Sequence, residues 1–170
     1  MLKFSGMKTE DAERLWRGEV DDHGNLPEVA TSNGAGNPCR HCLKMIEEGK
    51  KFLVFSYRPF DALQPYAEQG PVFLHADPCE AYQADGKPES PLSPLSPLPP
   101  LPPVLEDSPR YMLRGYDQDQ RIVYGSGTIA DKEHIHDTAR DMLKQSNIEF
   151  VHIRLATNNC WQARVDPESE

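Results

Sequence analysis

Pro38-Cys39-Arg40-His41-Cys42 and His75-Ala76-Asp77-Pro78-Cys79 hold three of the four cysteines in the chain and decide how the rest is read. Two residues between Cys39 and Cys42 allow both sulfurs to face one point. The second stretch adds an imidazole and a third thiol after thirty-two intervening residues. Cys39, Cys42, His75 and Cys79 are then the three-cysteine, one-histidine set that a tetrahedral zinc ion takes, and four protein ligands close the coordination sphere, as a structural ion requires. A redox Cys-x-x-Cys pair should open a helix after a strand, and no clear strand leads into Cys39. His41 reads as an exposed residue, because its neighbours Cys39 and Cys42 already claim that turn.

Local signals around the four residues suggest how the chain brings them together. Glu48-Gly49-Lys50 is a turn, Lys51 to Tyr57 has strand composition, and Val72-Phe73-Leu74 is a second short apolar strand. Asp77 has the character of a helix N-cap, with Pro78 as the first helical residue, Glu80 completing a capping box and Gly86 as the stop. A thiolate at Cys79 would be favoured by that helix N-terminus. Knuckle, hairpin and short helix in this order make a treble-clef-like zinc-binding part.

The chain has 170 residues, enough for one ordinary domain or two very small ones. Its start lacks a signal peptide and no stretch approaches eighteen apolar residues, so a cytoplasmic protein is expected. In a reducing compartment unpaired thiols favour metal binding over disulfides. A formal net charge of −9 argues against general nucleic-acid or membrane binding, which need a basic footprint.

In chain order, Leu2 to Phe4 reads as a strand, Thr9 as the cap of a helix with Ala12, Leu15 and Trp16 on one face, and Glu28 to Thr31 as a brief strand within turns. Residues 1–87 form the N-terminal part, whose own core looks small enough to need the metal as a staple. Residues 88–108 are a proline-rich linker or insertion: Pro88 to Pro103 holds eight of the sixteen prolines, a composition for polyproline II and a stiff spacer, with docking to an aromatic groove as the alternative. Residues 109–170 read as ββαββ: strands at Tyr111 to Tyr116 and Ile122 to Tyr124, a helix capped by Asp131 running to about Ser146, and strands at Ile148 to Leu155 and Cys160 to Val165. His134 and His136 read as solvent histidines. The fold class is α+β, the two parts packed as one domain with a mixed C-terminal sheet.

Read together, Pro38 to Leu43, Gly49 with Phe52 to Phe60, Pro65 to Cys79, and the closing Val151-His152-Ile153-Arg154, Asn158-Asn159-Cys160 and Arg164-Val165-Asp166 resemble the domain of unknown function 1203 family. The resemblance spans nearly all the chain except the proline tract, and implies one α+β domain without an established activity. The ligand order is also similar to the zinc fingers of poly(ADP-ribose) polymerases, which read broken DNA ends. Those fingers have two residues between the last ligands, where this chain has three. Between residues 39 and 79 Arg40, Lys44, Lys50, Lys51 and Arg58 are balanced by Glu47, Glu48, Asp61, Glu68 and Asp77, so the footprint for nucleic acid is missing.

Two functions follow. The first is a non-enzymatic module, stabilised by zinc, that binds a protein partner or small ligand. The second is a thiol enzyme with Cys160 or Cys39 as nucleophile, His152 as base, and Asn158 or Asn159 orienting the imidazole. No local nucleophile signature accompanies the second, and His152 alternates onto the strand face of Phe150 and Arg154, where a structural histidine also sits.

Overall fold

A computed structural model describes residues 2–83 and 100–167. Its strands are β1 (Leu2–Ser5), β2 (Glu28–Thr31), β3 (Lys51–Tyr57), β4 (Gly70–His75), β5 (Arg110–Tyr116), β6 (Thr128–Asp131), β7 (Phe150–Leu155) and β8 (Trp161–Pro167), with helices α1 (Thr9–Trp16) and α2 (Ile135–Leu143). The architecture is α+β with two sheets, ordered β1-β8-β7-β5-β6 and β2-β3-β4. Every strand pairing is antiparallel, so the C-terminal sheet is not the expected mixed one. No described helix is long and apolar enough to cross a membrane.

In the larger sheet the alternation of β7 decides both faces. Val151 and Ile153 join Leu113, Ala163 and Val165 against the α2 stripe Ile135, Ala139 and Met142. Phe150 and His152 point the other way, towards Tyr116, Phe60 and Trp161. A register shift between Ile153 and Arg154 sets Trp161 opposite Arg154; such a bulge re-aims a side chain, and Trp161 packs into the second core while Ala163 stays in the first.

The second core corrects the expectation of a small N-terminal one. Ala12 and Leu15 of α1 pack with Ile46, Phe52, Phe55, Val72 and Leu74, and full burial of each large apolar side chain is worth about 1.5–3 kcal/mol. The halves also interlock. β1 pairs with β8, and Leu43, next to the knuckle, is fully buried in the core of the larger sheet. Its φ of 54° is the left-handed region, which a branched side chain avoids at a cost of order 1–3 kcal/mol; burial of the Leu43 side chain offsets that strain.

Several local signals were overridden. Ile122 to Tyr124 forms only a bridge between Tyr116 and Ile122, because Gly125 turns the chain at φ 86° and the Ser126 hydroxyl takes the Gly115 N–H at 3.1 Å. The second strand of that pair is β6. Asp131 is the last residue of β6, ion-paired to Arg110 at 3.3 Å, and its side chain caps no helix; α2 begins only at Ile135 and ends at Leu143. The N-cap of α1 is Lys8, not Thr9. His136 is buried and meets Phe4 edge-on at 5.4 Å. The helix expected from Asp77 is absent as far as the description runs: residues 76–83 have no helix or strand, and the Tyr82 N–H donates to the His41 carbonyl at 3.0 Å, tying this segment to the knuckle. Residues 84–99, which include Gly86 and most of the proline tract, lie outside the described residues. The described end of the tract packs inward, with Val104 and Leu105 buried in the larger core.

Candidate metal centre

The two ligand pairs meet because the knuckle is hydrogen-bonded to the strand that carries His75. Leu43 N–H donates to the Cys39 carbonyl at 3.0 Å and Cys39 N–H to the Lys44 carbonyl at 2.9 Å, which closes the turn. Arg40 N–H then donates to the Phe73 carbonyl at 2.9 Å, and Cys39 and Phe73 form a parallel bridge. β4 leaves this bridge two residues before His75, and the irregular turn after it returns Cys79 to the same point. Gly6 completes the packing: a Cβ there would stand 2.3 Å from the Arg40 carbonyl oxygen and 2.8 Å from that of His41.

The ligand atoms of Cys39, Cys42, His75 and Cys79 all lie within 4.8 Å of one another. The Cys39 and Cys79 sulfurs are 3.8 Å apart, and Cys42 Sγ is 3.6 Å from His75 Nδ1. A tetrahedral ion with Zn–S near 2.3 Å and Zn–N near 2.0–2.1 Å places two sulfurs about 3.8 Å apart and sulfur and nitrogen about 3.6 Å apart. Both spacings fit, with Nδ1 as the imidazole ligand. Cys39 and Cys42 are buried and the other two half-buried.

The shared hydrogen bonds push the Cys39 and Cys79 thiols in opposite directions. Hydrogen bonds from Cys42 and Cys79 hold the Cys39 thiol far below its usual range, while Cys39 and Cys42 push the Cys79 thiol far up and raise His75 to about 10. A dication between them removes the conflict by favouring thiolate at each cysteine and neutral imidazole. Three thiolates and one dication leave a single negative charge. Arg40 lies beside it: this buried guanidinium donates to the Trp161 and Pro38 carbonyls, no ion pair joins it to a carboxylate among the described residues, and burial lowers its pKa to about 10, with Cys160, Cys39 and Tyr111 acting the other way. A buried cation is costly unless compensated, and negative charge at Cys39 would add to the compensation that the carbonyl acceptors of Arg40 supply.

Around the ligands sits a layer the sequence reading did not assign. His41 is buried, not exposed: its Nε2 lies 3.0 Å from Thr9 Oγ1, its Nδ1 3.5 Å from Cys79 Sγ, and its ring meets Trp16 edge-on. Burial holds its pKa below the usual value, so the neutral ring suits an N–H···S contact to a ligand. Trp16 Nε1–H donates to the His75 carbonyl at 2.8 Å. Such partners orient ligands.

The residues of the thiol-enzyme reading are placed differently. His152 is fully buried among Phe60, Tyr116, Phe150 and Trp161, and neither ring nitrogen has a hydrogen-bond partner among the described residues. Burial first, then Arg154, Arg164 and Arg114, depress its pKa well below the usual value. Cys160 Sγ contacts the Asn158 carbonyl at 3.7 Å. Asn159 has φ 58°, and its carbonyl accepts from Arg154 at 3.2 Å, so it serves a tight turn. The structure does not join Cys160, His152 and Asn159 by hydrogen bonds, and Cys39 is committed to the cluster.

Two further polar groupings lie outside what the sequence pattern revealed. Glu68 pairs with Arg114 at 2.7 Å and Arg154 at 2.9 Å and accepts the Tyr116 hydroxyl at 3.1 Å. Asp21 and Asp22 take the Ser56 and Arg58 N–H groups of the β3 edge at 2.8 and 2.7 Å, where β2 no longer covers it. Both depend on residues more than thirty positions apart, and only the turn propensity of Asp21-Asp22-His23-Gly24-Asn25 was readable locally.

Over residues 36–166 the chain matches the family described as Protein of unknown function (DUF1203). The match spans well over half of its length, and the chain belongs to that family. No curated protein and no solved structure matches it.

Proposed function

We propose that this protein is a non-enzymatic binding module whose knuckle is held by one structural zinc ion on Cys39, Cys42, His75 and Cys79, and that it serves a small ligand or protein partner in the cytoplasm. The observation that carries the zinc reading is the pair of spacings, 3.8 Å between sulfurs and 3.6 Å between sulfur and Nδ1. The donor set supports it independently, since three cysteines and one histidine suit zinc better than the hard cations that prefer oxygen. A four-ligand site leaves no open position for substrate or water, which favours a structural ion. The balanced charge around the knuckle gives no footing for nucleic acid.

Metal analysis of protein purified without a metal-affinity tag tests this reading. About one equivalent of zinc per chain is expected, with only Cys160 reacting quickly in a native thiol titration. Less than about a tenth of an equivalent, with all four thiols titrating freely, overturns it.

A further inference from the structure

Beside the metal centre, where α1 begins and the two sheets meet, lies a cleft of about 600 Å³, within the range of small-molecule sites. Its lining includes three side chains with buried polar atoms that have no hydrogen-bond partner among the described residues: both ring nitrogens of His152, Nε1 of Trp161 and Nε of Arg58. These atoms have almost no accessible surface, so they belong to the wall behind the cleft, and what the cleft itself offers is the guanidinium end of Arg58 and the faces of the rings.

The charges around the cleft say what kind of partner suits it. Lys8 is paired with Asp61, Asp22 with Arg14 and Arg164 with Asp166. Asp11 lies 3.5 Å from the Tyr57 hydroxyl, and burial pushes its carboxyl up. The guanidinium of Arg58 has no ion pair among the described residues. The cleft therefore holds one cation without an ion pair among the described residues, together with aromatic surface from Phe60, His152 and Trp161. A dianion is disfavoured, because Asp11, Asp22 and Asp61 line the same space.

We propose that this cleft binds a small aromatic monocarboxylate, its carboxylate pairing with the Arg58 guanidinium and its ring lying against the aromatic wall that includes Trp161. This deepens the ligand-binding reading above and rests on it. Arg suits a carboxylate by geometry as well as charge, since its planar fork can offer two parallel N–H groups.

The probe is benzoate, titrated into the full-length zinc-containing protein and followed by the indole N–H resonances. The chain has two tryptophans, and the Trp16 indole, already bonded to the His75 carbonyl, is the internal control. A saturable shift of the Trp161 indole at millimolar benzoate is expected, with no shift for neutral benzamide and at least about tenfold weaker binding in Arg58→Gln, the effect of losing a charge-assisted pair. No saturable Trp161 shift, an equal response to benzamide, or tighter binding of phenyl phosphate overturns the proposal. The benzamide comparison uses the unaltered chain, so it decides even if Arg58→Gln fails to fold. A protein with full zinc and no benzoate response refutes the cleft and leaves the metal reading standing, whereas benzoate binding without zinc does the reverse.

Discussion

Between the five-stranded sheet and α2 the core is apolar and comes mostly from regular elements: Leu113, Val151, Ile153, Ala163 and Val165 from strands, Ile135, Ala139 and Met142 from one helix. Around the three-stranded sheet the wall includes long runs of chain with little regular structure, residues 37–50 and 76–83, which contribute Cys39, Cys42, Ile46 and Cys79. A strand is held by its ladder as well as by its side chains. An irregular segment has few backbone bonds to neighbours and must be fixed by its side chains, its caps or a metal. The difference between the two regions is thus one of means: packing of repeated elements in one, packing plus the proposed four-point metal crosslink in the other.

The sharpest break of that contrast is Cys42→Ser. It should abolish stoichiometric zinc binding and cost on the order of 5 kcal/mol or more, a part of the roughly 10–16 kcal/mol apparent binding energy of structural zinc, the apolar core retaining the rest. Thermal unfolding with metal analysis checks it. A loss below about 1 kcal/mol, no more than an ordinary point substitution, would mean that both regions are held by packing alone.

Leu43→Ala separates the knuckle from the core it enters. Removing a fully buried leucine costs about 2–5 kcal/mol, and the cavity would lie in the larger core, so stability should fall by about 3 kcal/mol in denaturant unfolding while zinc content stays at one equivalent. Loss of zinc would show that the two regions are less separable than their contacts indicate.

Gly6→Ala presses on the same junction from outside. Its Cβ would meet two knuckle carbonyl oxygens, which cannot rotate away, so a loss of about 2 kcal/mol is expected. Gly115→Ala is the comparison: the added methyl would stand 2.6 Å from Ile148 Cδ1, the end of a flexible side chain, and should cost less. Equal midpoint shifts in urea would contradict this ranking.

The smallest effect concerns the loop that covers the β3 edge. Burial alone would raise the Asp21 pKa, but N–H groups of Ser56, Asn25 and His23 outweigh it and hold the carboxyl below its usual value. Because the folded value is the lower one, the stabilisation is fully present above the unfolded value near 3.9 and is lost as pH falls through the folded value. Asp21→Asn should cost about 1 kcal/mol at neutral pH, and its difference from the parent chain should shrink as pH drops below about 4. Urea midpoints across that range check the sign, and a difference that grows on acidification would refute it.

What the sequence revealed follows from how local each cause is. The strands over residues 51–57, 72–74 and 150–155 have enough β-branched and aromatic residues to declare themselves, and the four ligands have diagnostic types and spacing. β6 hid because Thr128-Ile129-Ala130-Asp131 turns only Ala130 inward. The capping signals at Asp77, Pro78 and Glu80 were genuine local preferences, defeated by a tertiary requirement: the segment bonds to His41 instead of coiling. His41 looked superfluous within a filled turn, and only the fold shows Thr9 and Trp16 closing over it. Arg40 gave no signal of its own, since one of its acceptors, the Trp161 carbonyl, lies far along the chain.

As proposed, a metal, and not packing alone, fixes the irregular segments to the smaller sheet. Amide hydrogen exchange of the zinc-loaded protein before and after chelation tests it most directly. Protection should collapse at Leu43 and Tyr82, whose N–H groups donate to the Cys39 and His41 carbonyls, while Val151 and Ile153 at the centre of the larger sheet exchange as before. Unchanged protection at Leu43 and Tyr82 after complete removal of zinc would contradict the account.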